Sequence, residues 1–245
     1  MDKIYTNYKK WGGRLSKDRI RSEYETNKTL VWKPYSSVYD LMKDAPFVKE
    51  LRERYVQVLH GLELALDAGC GTGLISVELA TDVRRVIGMD ISPEMLAKAA
   101  SRLNSLNNVR LCAADVHRLP FSDAVFDGYL LNNVLYFVDD PKMVISEMVR
   151  VTKHGGIIAL ASARPSNNVD VLIEGLLSYL KEEDIEVPAQ DLEKFVESNR
   201  ALQSQYRNLY EPQDISALLR KFGCHAVLEE STCYIDQNFF VVARR

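Results

Sequence analysis

The sequence predicts an α/β fold in which a doubly wound, mostly parallel sheet is covered by helices on both faces. From Leu64 onward, short apolar runs alternate with helical segments, a pattern typical of parallel strands buried on both faces. Alternating glycines follow the first apolar run, as expected where a strand turns sharply into a helix. The chain has 245 residues and is 47% hydrophobic, which is enough for one sizeable core.

The predicted strands are short apolar runs that end in small or acidic residues. The first ones are Leu64–Ala68, Arg85–Asp90, Val109–Ala113, Gly128–Leu131 and Ile157–Ala163. The predicted helices between them are Thr72–Ala80, Pro93–Leu106 and Pro141–Val151. The last two begin with proline after Ser92 or Asp140, residues that favour a helix N-terminus. His154-Gly155-Gly156 then predicts a helix stop and a turn.

The segment after the fifth strand departs from this alternation. It predicts two consecutive helices, Val169–Glu183 and Ala189–Leu209, where a doubly wound sheet ordinarily uses one. We therefore expect a helical insertion over residues 166–210, which is a candidate for one wall of a pocket. One more helix and a hairpin at a sheet edge are predicted to close the chain, at Pro212–Phe222, Ala226–Ser231 and Phe239–Ala243.

Residues 1–60 form a polar, helical preface before any strand-like run, and a boundary with residues 61–245 is predicted there. The preface is rich in aromatic residues, including Tyr8, Trp11, Tyr24, Trp32 and Tyr35. Such side chains offer apolar surface with hydroxyl groups, which suits a lid over a binding pocket. Helices packed on the sheet with their aromatic residues in the core explain the same pattern, and both interpretations stay open.

Composition and charge argue against several classes of protein. The formal net charge is -3 and the basic residues form no long run, so a general nucleic-acid binder is disfavoured and no DNA partner is expected. The cysteines form no Cys-x-x-Cys pair, so we expect reduced thiols and no metal site. Because no apolar run approaches roughly 20 residues and no signal-peptide stretch is present, a cytosolic protein without membrane contact is predicted.

A glycine-rich turn directly after the first strand is the strongest functional signal. Gly69, Gly71 and Gly73 alternate at the end of the apolar run. Glycine permits positive φ and lets backbone N–H groups approach a ligand closely, so a ligand is expected here. A dinucleotide fingerprint would need a glycine at position 74, which is Leu74, and this spacing argues against NAD.

Two carboxylates follow the next two strands. Asp90 lies about 20 residues beyond the glycine loop, where it can accept hydrogen bonds from both hydroxyls of a ribose. It is also placed to cap the helix that begins at Ser92. Asp115 follows the third strand, where its carboxylate suits an adenine amino group. Because phosphate-bearing cofactors do not require this second acid, the pair favours another adenosine cofactor.

These motifs resemble the class I methyltransferases that use S-adenosylmethionine (SAM), in particular their small-molecule branch. The resemblance covers Leu64 to Ala163, with an Asp-x-Gly-x-Gly-x-Gly loop from Asp67 and a Leu-Pro-Phe element ending at Phe121. It implies a seven-stranded sheet in the order 3-2-1-4-5-7-6 with strand 7 antiparallel. It also implies in-line methyl transfer to a nitrogen or oxygen of a small-molecule acceptor, with S-adenosylhomocysteine (SAH) as product and no metal.

The resemblance further assigns individual residues to parts of the cofactor. It assigns the methionine part of SAM to the glycine loop, with Asp67, Gly69, Gly71 and Gly73. It assigns the ribose to Asp90 and its neighbour Ile91, adenine to Asp115 and Val116, and the methionine amino group to Asn132.

Two departures from the family pattern limit what carries over. Tyr136-Phe137 stands where many relatives have a His-His pair, so no base role is transferred from that histidine. The chain lacks the Asn-Pro-Pro-Tyr motif of enzymes that methylate amino groups in DNA, so such an acceptor is not expected. The catalytic residue is left unassigned, with His117 and Tyr136 as candidates. The acceptor is expected to contact Tyr8, Trp11, Tyr24, Trp32 and Tyr136.

Other functions fit parts of the pattern. Tyr39 and Lys43 match the Tyr-x-x-x-Lys pair of short-chain dehydrogenases, but in that family the pair follows the glycine loop, whereas here it precedes it. A SAM-binding module that catalyses nothing and acts through a partner is compatible with every motif. A methyltransferase acting on protein or RNA is a further alternative, which the charge balance weakens. The oligomeric state stays open.

Overall fold

The computed structural model of the chain describes residues 32–245. Most of the predicted preface, including the predicted acceptor contacts Tyr8, Trp11 and Tyr24, lies outside the described residues. The preface residues that the structure does describe form a short helix, a 3-10 turn and a longer helix before the first strand.

The strands form a seven-stranded sheet in the order β3-β2-β1-β4-β5-β7-β6. They are β1 Ala65–Ala68, β2 Val86–Asp90, β3 Val109–Ala113, β4 Phe126–Asn132, β5 Thr152–Ala163, β6 His225–Cys233 and β7 Asn238–Arg244. β7 runs antiparallel to β5 and β6, whereas the other neighbours are parallel. The predicted fold class, strand order and terminal hairpin are confirmed.

The helices cover both faces of this sheet. They are α1 Trp32–Ser36, α2 Pro46–Val58, α3 Leu74–Leu79, α4 Pro93–Arg102, α5 Pro141–Val151, α6 Val169–Glu182, α7 Ala189–Gln203 and α8 Pro212–Lys221. Short 3-10 turns occur at Tyr39–Met42 and Leu135–Phe137. Two helices, α6 and α7, therefore stand between β5 and α8, in the segment where the sequence predicts an insertion.

The N-termini of α4 and α5 show why the chain turns helical there. Ser92 Oγ accepts a hydrogen bond from the backbone N–H of Met95 at 3.2 Å, and Asp140 Oδ1 accepts one from Met143 at 3.0 Å. Each bond satisfies a backbone donor that the first turn leaves unpaired. The cap of α4 is thus Ser92, while Asp90 accepts the N–H of Ser92 itself at 2.8 Å.

Three predicted helix boundaries differ from the structure by two residues or more, one of them the end of α4, which lies at Arg102 rather than Leu106. α3 begins at Leu74 rather than Thr72, because Gly73 is left-handed with a φ of 80°. α7 ends at Gln203 rather than Leu209, because the following segment turns back toward the end of β4. In that segment the backbone N–H of Arg207 donates to the carbonyl oxygen of Tyr136 at 2.9 Å.

The prediction of a turn at His154-Gly155-Gly156 was wrong. α5 ends at Val151 as expected, but the chain continues directly into β5 at Thr152. The register against β4 shifts between Phe126 and Gly128, so the extra residues are absorbed as an irregularity within the strand. Gly155 supplies the left-handed conformation there, with a φ of 78°.

Each face of the sheet carries a hydrophobic core. One core joins the sheet to α1, α2, α3, α4, α6 and α7, and the other joins it to α5 and α8. The described part of the preface belongs to the first core, where Tyr55 of α2 is fully buried and donates to the carbonyl oxygen of Leu131 at 3.0 Å. Across residues 32–245, no helix is long and apolar enough to cross a membrane, and the cytosolic location stays a prediction.

Candidate active site

A cavity of about 210 Å³ lies at the carboxyl ends of β1, β2, β3 and β4, where doubly wound sheets bind ligands. Two groups of residues line it. We term the first group the polar wall; it comprises Gly69, Gly71, Asp90, Ile91, Asp115, Val116, His117 and Asn132. We term the second the aromatic wall; it comprises Trp32, Tyr35, Tyr39, Tyr136, Phe137, Tyr206 and Tyr234.

The glycine loop forms the base of the polar wall and is left-handed at all three glycines. A Cβ added at Gly69 would lie 2.3 Å from Val134 Cγ2, and one added at Gly73 would lie 3.2 Å from Ala99 Cβ. A Cβ at Gly71 would meet no described atom within 4 Å. Gly71 is therefore the loop position with an open face toward the cavity, whereas Gly73 packs on α4 and does not line it.

Backbone N–H groups of the glycine loop and of the N-terminus of α4 orient the carboxylate of Asp90. Its Oδ2 accepts the N–H of Gly71 at 2.8 Å, and its Oδ1 accepts the N–H of Ser92 at 2.8 Å. Burial raises the pKa of Asp90 above its ordinary value, and these N–H donors oppose that rise. Each carboxylate oxygen retains a further lone pair, so the group can still accept from ligand hydroxyls.

Asp67 lies behind the glycine loop and does not line the cavity. Its side chain is 1% exposed and accepts a hydrogen bond from Ser76 Oγ at 2.6 Å. Burial raises the pKa of Asp67 to about 7, and the nearby carboxylate of Asp90 contributes to the rise. Asp67 thus contacts the first turn of α3 and supports the loop from beneath.

Asp115 and His117 of the polar wall are hydrogen-bonded to each other. Asp115 Oδ1 is 2.9 Å from the backbone nitrogen of His117 and 2.6 Å from its ring Nδ1. The other ring nitrogen, Nε2, accepts from the backbone N–H of Asp140 at 3.4 Å. Both ring nitrogens are therefore engaged. Within residues 32–245, no cluster of three or more His, Cys, Asp or Glu side chains is arranged to hold a metal ion.

Asn132 ends β4 and presents a buried amide to the cavity. Its Oδ1 has no hydrogen-bond partner among the described residues. Because a buried carbonyl oxygen without a donor costs about 1–3 kcal/mol, this atom suits a ligand amino group. Together with the open face of Gly71 and the aligned carboxylate of Asp90, it makes the polar wall a fit for SAM.

Six of the seven members of the aromatic wall form one continuous set of ring contacts, whereas Tyr234 packs on Phe47 of α2. The members of the wall come from α1, both 3-10 turns, the segment after α7 and the β6–β7 turn. The closest ring-centre distances are 4.3 Å for Tyr136–Tyr206, 4.5 Å for Tyr136–Phe137 and 5.0 Å for Trp32–Phe137. Most of these pairs are tilted or edge-to-face, the arrangements that aromatic rings prefer.

The buried hydroxyls of this wall bond to other side chains. Tyr35 donates to Asn199 Oδ1 at 3.0 Å, and Tyr234 donates to the sulfur of Met42 at 3.5 Å. Burial, reinforced by the neighbouring tyrosines, raises the pKa of both hydroxyls well above the usual range. They therefore stay neutral at physiological pH.

Tyr136, a catalytic candidate from the sequence, lies inside this cluster. Its hydroxyl is hydrogen-bonded to that of Tyr206, and burial raises the pKa of both residues. A neutral, hydrogen-bonded phenol can position a ligand but is a poor proton acceptor.

The turn between β6 and β7 directs Tyr234 toward the cavity. Residues 234–236 are left-handed, with φ values of 56°, 51° and 63°, although none is glycine. The turn is held by Gln237, whose Oε1 accepts the backbone N–H of Asn168 at 2.6 Å, and by Arg164, which donates to Asp236 at 2.9 Å. These contacts tie the turn to the start of α6.

Asp40 connects the two walls. Its Oδ1 accepts a hydrogen bond from Thr72 of the glycine loop at 2.7 Å, and its Oδ2 pairs with Arg102 of α4 at 2.6 Å. Arg102 also donates to the carbonyl oxygen of Thr72. Because Asp40 directly follows Tyr39, this network fixes part of the aromatic wall against the loop.

The cavity brings together most of the sequence-predicted site residues, including Trp32, Tyr136 and His117. Tyr206, Tyr234 and Asn199 also line it, but the sequence did not indicate them individually. The predicted helical insertion over residues 166–210, which includes both Asn199 and Tyr206, was the only sequence signal for either residue. Tyr206 follows α7 and Tyr234 follows β6 without any motif around them.

Comparison with known proteins agrees with this geometry. Residues 66–160 match the family model described as "Methyltransferase domain". A malonyl-[acyl-carrier protein] O-methyltransferase of Hamiltonella defensa is 34% identical over 56% of this chain and 53% of its own length. A demethylmenaquinone methyltransferase of Bacillus licheniformis is 32% identical over 48% of this chain and 53% of its own length.

The N-methyltransferase NodS of Bradyrhizobium japonicum, solved with SAH, superposes with a TM-score of 0.60 at 17% identity, covering 87% of this chain and 98% of NodS. This likeness concerns the fold. The chain spans about half the length of the two curated relatives described above. With the sheet order and the glycine loop, these matches show that residues 66–160 form a methyltransferase domain of the class I SAM-dependent type.

Proposed function

We propose that the protein transfers the methyl group of SAM to a small molecule held against the aromatic wall. One observation carries this proposal: the polar wall and the aromatic wall line the same cavity. A cofactor on one wall and an acceptor on the other would therefore meet without leaving it. Proximity of this kind supplies much of the rate enhancement in a two-substrate reaction.

The polar wall would hold the cofactor. Gly71 offers its open face to the methionine part, Asn132 Oδ1 accepts from the amino group, and Asp90 accepts from the ribose hydroxyls. Asp115 and Val116 lie where adenine is expected. When bound, SAM supplies a methyl group activated by its sulfonium, so the protein's own task is to align the acceptor and exclude water.

The aromatic wall would hold the acceptor. Its described members enclose apolar surface with hydroxyl groups, which suits a small, largely uncharged molecule. Two relatives named above are methyltransferases for demethylmenaquinone and malonyl-[acyl-carrier protein], which supports acceptors with small reacting groups. We further propose that the preface contributes to the aromatic wall and covers the bound acceptor.

Calorimetry with SAM and SAH tests the cofactor half of this proposal. Asp90→Ala removes an acceptor shared by two ribose hydroxyls, and each such bond to a charged group contributes roughly 1.5–3 kcal/mol. We expect SAH affinity to fall at least tenfold, with an unchanged unfolding midpoint within a few degrees. Glu53→Ala is the matched control, because it removes a carboxylate from the exposed face of α2.

The transfer half is tested with methyl-labelled SAM and a panel of small molecules. We expect SAH to accumulate with stoichiometric label in a product of low molecular mass. A folded protein that binds no SAH, or one that transfers the labelled methyl group only to protein or RNA, would contradict the proposal.

A further inference from the structure

We infer that the acceptor is an amine, neutral when it attacks and cationic once methylated, held among the rings of the aromatic wall. The inference rests on the proposed function and adds the chemical class of the acceptor. It follows from the hydrogen-bond donors, the charges and the rings that line the cavity.

Three of the five tyrosine hydroxyl protons of the aromatic wall are committed within the protein, because one member of the Tyr136–Tyr206 pair must donate to the other. Tyr35 and Tyr234 donate to other side chains at 3.0 and 3.5 Å, and the hydroxyls of Tyr136 and Tyr206 bond to each other. The oxygens of Tyr35 and Tyr234 keep free lone pairs, so they offer acceptors rather than donors. A ligand that carries N–H groups satisfies such a surface, whereas a carboxylate or phosphate does not.

The ionised groups around the cavity also favour a positive ligand. Among the described lining residues, the ionisable side chains other than tyrosine are Asp90, Asp115, His117 and Arg207. Arg207 is 60% exposed and its guanidinium pairs with Asp139. Both carboxylates belong to the polar wall assigned to the cofactor, and the one arginine among these residues is already paired, so the described lining offers no unpaired cation to an anionic acceptor.

The rings themselves provide the remaining attraction. An ammonium group is drawn to the electron-rich faces of aromatic rings, and the effect grows when water is excluded. Trp32, Tyr39 and Tyr206 bring such rings from three separate segments to one cavity. A cation can therefore be enclosed on several sides, which a single exposed ring does not achieve.

An amine acceptor that enters the cavity in its neutral form needs no general base during the transfer itself. The nitrogen lone pair forms the N–C bond to the methyl carbon while the S–C bond breaks, and that electron pair stays on sulfur as the neutral thioether of SAH. The positive charge passes to the new ammonium, whose proton leaves to water after release. A hydroxyl acceptor must first lose its proton, yet both ring nitrogens of His117 are engaged.

Binding of two probes to the SAH-loaded protein tests the inference. The cation benzyltrimethylammonium carries the charge of a methylated amine, and neopentylbenzene is its uncharged carbon isostere. We expect the cation to bind roughly tenfold more tightly or better, measured by calorimetry or by quenching of intrinsic fluorescence. Equal affinity of the two probes, or no binding of the cation, would overturn the amine assignment.

A pair of variants assigns the preference to the rings. Tyr206→Phe keeps the ring and should retain the preference for the cation within about twofold, whereas Tyr206→Leu should reduce it severalfold. SAH affinity, measured first on each variant, confirms that the cofactor side is intact. If Tyr206→Leu leaves the preference unchanged and the cation still binds, the aromatic wall is not its site and the inference fails.

Turnover of matched substrates separates this inference from the proposed function. With trideuteromethyl SAM, 2-phenylethylamine should gain the label and 2-phenylethanol should not. Methylation of the alcohol at a comparable rate would refute the amine assignment while supporting the proposed methyl transfer. If neither is methylated, the probe comparison decides the acceptor class. Absence of SAH binding would refute the proposed function and, with it, this inference.

Discussion

The polar wall and the aromatic wall are built in opposite ways. The polar wall is assembled from residues that immediately follow β1, β2, β3 and β4, and backbone groups orient its key side chain, Asp90. The aromatic wall collects side chains from segments far apart in the chain, and side-chain contacts hold them together. The proposed cofactor site is thus built on the ends of the sheet strands, whereas the proposed acceptor site is built from segments added around the sheet.

Substitutions in the two walls should therefore have separable effects on the affinities for cofactor and acceptor. A change in the polar wall alters backbone geometry and should reach the cofactor directly. A change in the aromatic wall should alter the acceptor and leave the cofactor largely unaffected, except at Asp40, where the two walls are joined.

The largest effect is expected for Gly71→Val. Valine at a left-handed position is strained, and its branched side chain would fill the open face of the loop. We expect SAH affinity to fall by more than about a hundredfold, since the ligand loses backbone approach as well as space. Calorimetry on the folded variant measures the loss.

Gly223→Val provides the matched control for strain alone. Gly223 has a φ of +82° and open space around its missing Cβ, but it lies after α8 and does not line the cavity. This variant should lose stability while keeping its SAH affinity within twofold. Similar SAH affinities for the two variants would show that the glycine loop does not contact the cofactor.

A pH dependence should follow from Asp67, beneath the polar wall. Its folded pKa of about 7 lies above the ordinary value of 3.8, so the folded state binds more protons than the unfolded state between these values. Stability therefore falls as pH rises through this window. Between pH 5 and pH 8 we expect Asp67→Asn to remove roughly 2–3 kcal/mol of this fall, since each unit is about 1.4 kcal/mol.

Urea unfolding at both pH values measures that difference. The exposed Asp44, paired with Lys43 at 3.6 Å, serves as the control through Asp44→Asn. Parallel pH profiles for the wild type and Asp67→Asn would mean that the buried carboxyl does not titrate in this window.

Asp40→Asn tests the connection between the walls. The substitution keeps the size of the side chain but weakens the pair with Arg102 and the bond from Thr72. We expect a threefold to tenfold loss of SAH affinity, which is less than one charge-assisted hydrogen bond contributes because Asp40 acts on the cofactor only through the loop. We also expect faster hydrogen exchange in residues 39–42. Asp44→Asn is again the control, and equal affinities for the two variants would show that the walls are independent.

The smallest effect on the cofactor is expected for Phe137→Leu. The ring of Phe137 contacts Trp32 and Tyr206, and leucine conserves much of its volume. SAH affinity should change by less than twofold, while affinity for benzyltrimethylammonium falls. A larger change in SAH affinity than in cation affinity would mean that Phe137 belongs to the cofactor side.

The sequence predicted the sheet because its signals are local. Apolar runs, proline at helix starts and the glycine loop each report on their own segment, and the strand order followed from the family resemblance. The misplaced turn at Gly155 shows the limit: two glycines suggest a turn, but pairing with β4 kept the segment in a strand with an irregular register.

The residues of the site, too, could be predicted only where a local sequence signal marks them. Asp90 and Asn132 were identifiable because each follows a strand that fixes its position. Tyr234 was not, because only tertiary packing brings it to the cavity and nothing near it in the sequence marks that outcome. Tyr206 was covered only by the general prediction that the insertion forms a pocket wall, which does not single out a residue. Asp40 was hidden for a related reason, since its role depends on Arg102, which is 62 residues away.

The β6–β7 turn has a consequence for protein engineering. Left-handed conformations at non-glycine residues cost roughly 1 kcal/mol or more each, and Ile235 is β-branched, which makes it especially unfavourable. A stability-guided redesign would place glycine at positions 235 and 236 and gain thermal tolerance. The same replacement would free the hairpin tip and loosen Tyr234, so screens that reward heat resistance alone would select against acceptor discrimination.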